Sequence, residues 1–161
     1  PGAVLGNPNG SKTLFEFSDY NCTYCRLSAD DVETLIENDP DLRVVVKEWP
    51  IFEGSEAPAR MALAAAKQGK FAAFHRALYD EDTADEDAVA SAAKAAGLDM
   101  ERARKDAAGQ DVTTELMRNN LLAQELGFTG TPAWITGDQI LQGAQGADAL
   151  AEAVAKGGEP S

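Results

Sequence analysis

A chain of 161 residues, 44% hydrophobic and 25% charged, buries one ordinary core and is too apolar for disorder. Its formal net charge of -13 disfavours nucleic acid and anionic membrane surfaces as partners, since both reward clustered Lys and Arg. No run of about 18 apolar residues exists, so stable membrane insertion is not expected, and PGAVLGNPNG at the start lacks the features of a signal peptide, which an exported protein would already have lost.

TLFEF, Thr13 to Phe17, reads as a buried strand carrying one oddly placed acid, Glu16. Asn21 is the expected cap of a helix that begins at Cys22, runs through Val32, Leu35 and Ile36, and stops before Asp39-Pro40. LRVVVK, Leu42 to Lys47, is a second strand, and the helix between makes the pair a right-handed parallel unit. After Trp49-Pro50 the chain turns Ala-rich and helical. Helices are expected from about Ser55, through Phe71, Phe74 and Leu78, over 86–96 and 100–107, and over 111–126 with Val112, Leu116, Leu122, Ala123 and Leu126 near one stripe. The acidic runs Asp80-Glu81-Asp82 and Asp85-Glu86-Asp87 are solvated caps and turns. Strand character returns with PAWIT, Pro132 to Thr136, and QILQG, Gln139 to Gly143, joined by a Gly137-Asp138 hairpin turn. Gly146 to Lys156 closes the chain as a helix that Gly157-Gly158 ends.

The order is therefore β-α-β, a helical interruption, then β-β-α. Cys22 and Cys25, the only cysteines, fall where the first strand meets its helix. In a parallel unit that junction is a natural active-site position, and its free backbone N–H groups favour a negative sulfur on Cys22. Three-residue spacing puts Cys25 one turn deeper on the same face, close enough for a disulfide. The pair can exchange disulfides with another protein through a mixed disulfide. As a structural staple it would close only a tiny loop and contribute little. A zinc site needs about four Cys or His ligands, and the chain offers two Cys and His75, itself expected at the boundary of an amphipathic helix. Two thiolates could bind copper(I), although no methionine cluster lies near them in sequence.

Two further residues stand out. Glu16, six positions before Cys22, either faces outward from an edge strand or is buried, in which case its raised pKa suits it to exchange a proton with Cys25. Pro132 opens a strand, where an ordinary trans bond is the default; a cis Thr131-Pro132 bond would instead turn Thr131 toward the cysteines and an extended client.

LFEFSDY followed by CTYCR, the GTPAWI segment at Gly130 to Ile135 and ILQGA at Ile140 to Ala144 together resemble the bacterial DsbA-like family of thiol-disulfide oxidoreductases. The likeness is greatest to its single-domain branch containing the Com1-like and suppressor-of-copper-sensitivity C proteins. The resemblance implies a thioredoxin-like α/β fold with an inserted helical lobe, as one domain over 1–161 with its core at 12–52 and 128–158 and the lobe at 53–127. It implies Cys22 as exposed nucleophile, Cys25 as buried resolving cysteine, Glu16 as buried acid, and Thr131, a cis Pro132 and Tyr24 on the substrate-binding side. It further implies cysteine-containing client proteins, a membrane or soluble redox partner that recycles the pair, no required cofactor or metal, and an exported oxidising compartment such as the bacterial periplasm. Thr23-Tyr24 replaces the Pro-His pair of the prototypical oxidising enzyme, which leaves isomerase or reductase activity beside oxidation. The reading from a different class is a copper(I)-binding or redox-sensing interaction protein.

Overall fold

The computed structural model describes residues 2–157. Gly158, expected with Gly157 to end the last helix, lies outside the described residues.

The β-branched and aromatic runs pair as anticipated. Strand β2 (Lys12–Ser18) and strand β3 (Leu42–Glu48) lie parallel, with Glu16 opposite Val46 and Ser18 opposite Glu48. Helix α1 (Thr23–Asn38) makes the crossover between them. Strand β4 (Ala133–Thr136) runs antiparallel to β2, placing Trp134 opposite Glu16, and strand β5 (Gln139–Gln142) pairs with β4. Strand β1 (Val4–Gly6) adds to the far edge of β3, and the order is β1-β3-β2-β4-β5. Three residues between glycines and prolines carry no readable alternation, so β1 has no counterpart in the sequence-based expectations.

Between β3 and β4 the chain forms α2 (Glu56–Lys67), α3 (Phe71–Asp80), α4 (Glu86–Ala95), α5 (Met100–Ala107) and α6 (Gln110–Glu125). Ala62, Ala64 and Ala65 of α2 are fully buried, small side chains that let neighbouring helices approach closely. The expected stripe of α6 needs correction. Val112, Leu116, Asn119 and Ala123 are buried, at regular helical intervals, whereas Leu122 lies about a quarter-turn away and is 38% exposed. Asn119 takes its buried place because its Nδ2 donates to the backbone carbonyl of Glu48 at 2.9 Å.

The two faces of the sheet carry separate cores. Leu14, Val44, Val46 and Trp134 pack with Val32 and Leu35 of α1, with Phe71, Phe74 and Leu78 of α3, and with Leu150 and Val154 of α7 (Ala147–Gly157). Phe17, Trp49 and Ala133 pack with Ala123 and Phe128. His75 also departs from expectation: it is buried rather than at a boundary, because its Nδ1 lies 2.7 Å from the Tyr20 hydroxyl.

The β4–β5 turn is tightest at Gly137, where φ is +57° and an added Cβ would meet the carbonyl oxygen of Gly157 at 2.3 Å. Backbone contact on one side and a left-handed conformation on the other leave no room to relax. Gly137→Ala is expected to cost about 2 kcal/mol or more in urea unfolding; an unchanged midpoint would contradict the packing of α7 against the turn.

Candidate active site

Strand β2 delivers its last residues to the start of α1, and Asp19 organises that junction. Its buried carboxylate accepts four hydrogen bonds: Asn21 N at 2.8 Å and Ser55 Oγ at 2.6 Å on Oδ1, Ile51 N at 2.8 Å and Phe52 N at 3.0 Å on Oδ2. Its backbone carbonyl accepts from Cys22 N at 3.1 Å. The strand end, the helix start and the loop after β3 are thereby joined through one residue.

Cys22, not Asn21, caps α1. Cys22 has extended backbone angles, φ -87° and ψ 120°, and its Sγ accepts from Cys25 N at 3.3 Å. Asn21 instead donates its Nδ2 to Ser55 Oγ at 2.9 Å. The first turn of α1 thus aims a backbone N–H, otherwise without an intrahelical partner, at the Cys22 sulfur.

The Thr131-Pro132 peptide bond is cis, and the Thr131 carbonyl accepts from the Cys22 thiol at 3.3 Å. This contact brings residues 109 positions apart to one sulfur. Cys22 is less open than the resemblance implied, with 4% of its surface exposed against none for Cys25, because the side chain folds back over the helix start beneath Thr131. Tyr24, between them, is 61% exposed. Arg26 does not face the sulfurs; it donates to the carbonyls of Tyr79 and Glu81 at 2.7 and 2.6 Å and ties α1 to the end of α3.

Burial pushes the Cys25 thiol up, and the nearby Glu16 adds to the effect wherever it is ionised. Glu16 is itself buried, 2% exposed, and desolvation raises it from 4.5 to about 8. Its position inside the sheet rather than on an edge follows from the strand order, which pairs β2 on both sides. The arrangement is one sulfur at the helix terminus, a second one turn behind, and a buried acid that holds its proton into the neutral range. Among the described residues, no group of three or more His, Cys, Asp or Glu is arranged to hold a metal ion.

Sequence patterning did not flag Asp19, Tyr20 or Glu48. Glu48 carries a signature close to that of Glu16, an acid belonging to an otherwise apolar strand, and could have been found by that rule.

The DSBA-like thioredoxin domain model matches residues 13–155. The chain belongs to this family. Across it, the chain is 42% identical to a thioredoxin-like oxidoreductase from Silicibacter pomeroyi DSS-3, with 98% of this chain and 92% of that one aligned and a TM-score of 0.92. The catalytic domain of Proteus mirabilis ScsC is 30% identical over 98% of this chain and 90% of that one, at a TM-score of 0.84. A periplasmic thioredoxin-like protein from Salmonella enterica serovar Typhimurium is 29% identical over 96% and 88%, at 0.82. No curated protein gives a significant match. The fold is thus thioredoxin-like with an inserted helical lobe, and the chain is a DsbA-like thiol-disulfide oxidoreductase with a closely spaced cysteine pair.

The buried acid has a thermodynamic consequence. Between about pH 4.5 and about pH 8 the folded chain retains a proton on Glu16 that the unfolded chain has lost. Stability from this group is full below the lower value and falls as pH rises through the upper one, by about 5 kcal/mol in total. In Glu16→Gln that slope is absent. Urea unfolding of reduced wild type and variant across this window reads the difference, and parallel pH profiles would contradict the burial of Glu16.

Proposed function

We propose that this chain exchanges disulfides with cysteine-containing client proteins in the periplasm, with Cys22 forming the mixed disulfide and Cys25 resolving it. The observation that carries the reading is the Cys22 sulfur, set between the Cys25 N–H and the Thr131 carbonyl at 3.3 Å each.

From the oxidised pair, a client thiolate attacks Cys22 Sγ. The bond to Cys25 breaks, its electron pair passes to Cys25 Sγ, and Glu16 supplies the proton. A second client thiolate then attacks the client sulfur of the mixed disulfide, and Cys22 leaves as a thiolate held by the helix N-terminus. The reverse sequence reduces a client disulfide, with Cys25 returning its proton to Glu16. Sulfur and proton balance within chain and client, so the exchange calls for no bound cofactor.

The cis Thr131-Pro132 bond sets the Thr131 backbone beside Cys22, where a client strand docks, and Tyr24 gives the client an exposed ring. In this division, residues 12–52 and 128–158 hold the exchange machinery, while the lobe at 53–127 backs it with Ser55, His75 and Tyr79. A membrane or soluble redox partner resets the pair through the same face.

Direction depends on how strongly the Cys22 thiolate is held relative to the disulfide. Thr23 and Tyr24 bring no charge to the sulfur, and Arg26 is committed to the α3 carbonyls. This favours reversible exchange, including isomerisation, over one-way oxidation. Equilibration with glutathione buffers is expected to give a reduction potential of roughly -220 to -150 mV, whereas a value near about -120 mV would assign one-way oxidation instead.

A further inference from the structure

Glu16 and Cys25 are almost sealed from water, yet the proton that the proposed exchange passes between them has to meet solvent in each cycle. A client seated over Cys22 covers the near side. Behind the pair, β3 supplies a second buried acid, Glu48, 1% exposed. Because Glu16 pairs with Val46 and Ser18 with Glu48 in parallel register, the two acids project from the same face of the sheet, one rung apart.

Glu48 Oε2 accepts from the Tyr20 hydroxyl at 3.0 Å, and the same hydroxyl lies 2.7 Å from His75 Nδ1. Glu48 Oε1 has no hydrogen-bond partner and is the free end of this chain. At the other end, His75 lines a cavity of about 50 Å³ shared with Asp30, Glu33, Arg76 and Asp80. That volume accommodates a water molecule. The groups that act on Glu48 are Glu16 and Asp19 from β2 and its end, and Tyr20 beyond it. From α3, Tyr79 and His75 join this cluster, and from α1, Cys25. The nearest cations in sequence are engaged elsewhere, Arg76 with Glu33 at 2.8 Å and Lys47 with Glu115 at 3.8 Å. Burial, with Glu16 adding to it, holds Glu48 well above the usual carboxylate range, and burial followed by the nearby Arg76 holds His75 down to about 3. The resting chain is therefore a row of neutral groups.

We infer that Glu48, Tyr20 and His75 form the proton path between the buried Glu16–Cys25 pair and solvent, opening at the α3 side of the molecule, away from the client. The Tyr20 hydroxyl donates to Glu48 Oε2, so His75 Nδ1–H faces the Tyr20 oxygen and the chain stands ready to run inward. Inward, Glu48 passes the proton on its free Oε1 to Glu16 across one rung of the sheet, takes the Tyr20 proton on Oε2, Tyr20 takes the proton of His75 Nδ1, and His75 takes one from cavity water on Nε2. Glu48, Tyr20 and His75 each gain one proton as they lose one, and His75 ends neutral with its proton on Nε2. The outward direction reverses each step. The path acts through Glu16 and touches neither sulfur, so it rests on Glu16 being the proton partner of Cys25.

The test uses the full reduced chain, oxidised glutathione and stopped-flow Trp fluorescence, with Trp134 beside Glu16 as reporter. Tyr20→Phe keeps the ring packing and removes only the hydroxyl. It is expected to leave attack by Cys22 unchanged, to slow ring closure by Cys25 about tenfold at neutral pH, and to alter the solvent deuterium isotope effect of that step. The equilibrium constant with glutathione stays the same. Glu48→Gln gives the same loss, and the double variant is no slower than either single one. If Glu16→Gln slows ring closure while Tyr20→Phe does not, the path is overturned and the role of Glu16 stands. If Glu16→Gln leaves ring closure unchanged, both fail. A Tyr20→Phe variant that slows both steps and shifts the equilibrium constant would show a packing role and overturn the path.

Discussion

The buried carboxylate of Asp19 is the constraint on which the site depends. A lone acid in this position would be costly to desolvate, but two backbone N–H groups from Ile51 and Phe52, one from Asn21 and the Ser55 hydroxyl satisfy it. In doing so it fixes three chain segments that would otherwise meet only at a surface. Once Asp19 holds the turn, Cys22 occupies the cap position, its sulfur receives the N–H of Cys25, the third residue of α1, and the Cys25 side chain falls one turn deeper. The lobe is tied to the same anchor, because Ser55 also begins α2. The cysteine geometry thus follows from a polar interaction that takes no part in the chemistry.

A second tension runs through the layer beneath. Glu16 and Glu48 share one face of a sheet otherwise lined by Leu14, Val44, Val46 and Trp134. Apolar surroundings disfavour the charged forms, so both acids hold protons where surface carboxyls have lost them. The fold tolerates this at Glu48 through Tyr20, His75 and the ring contacts that Tyr20 makes with Phe74 and Tyr79. Buried acids weaken a structure of this size at neutral pH. Their presence is reasonable where chemistry moves a proton to and from a buried thiol.

Much of this was readable from the chain itself, and the exceptions share a cause. The runs at Thr13 to Phe17 and Leu42 to Lys47 and the helix at 100–107 carry strong local patterns, and each element formed within a residue or two of expectation. The cysteine pair and Glu16 were visible as chemistry placed against pattern. What local pattern could not show was long-range pairing. Asn21 looks like a cap until Ser55, 34 positions away, takes its side chain. His75 looks like a boundary residue until Tyr20 reaches it across 55 positions. Val4–Gly6 becomes a strand only because β3 offers an unpaired edge. Leu122 was placed in the stripe by composition, and a helix turned to bury Asn119 leaves it outside.

In the proposed exchange, Cys22, with a backbone N–H of α1 aimed at its sulfur, forms the mixed disulfide, and Cys25, near the buried Glu16, resolves it. The division of labour between the two sulfurs is its central claim. It is tested most directly by reacting the Cys25→Ser chain with a disulfide-bonded client and locating the attachment by peptide mass spectrometry. A stable mixed disulfide confined to Cys22, accumulating because nothing resolves it, is the predicted result; normal turnover or no adduct at Cys22 would contradict the account.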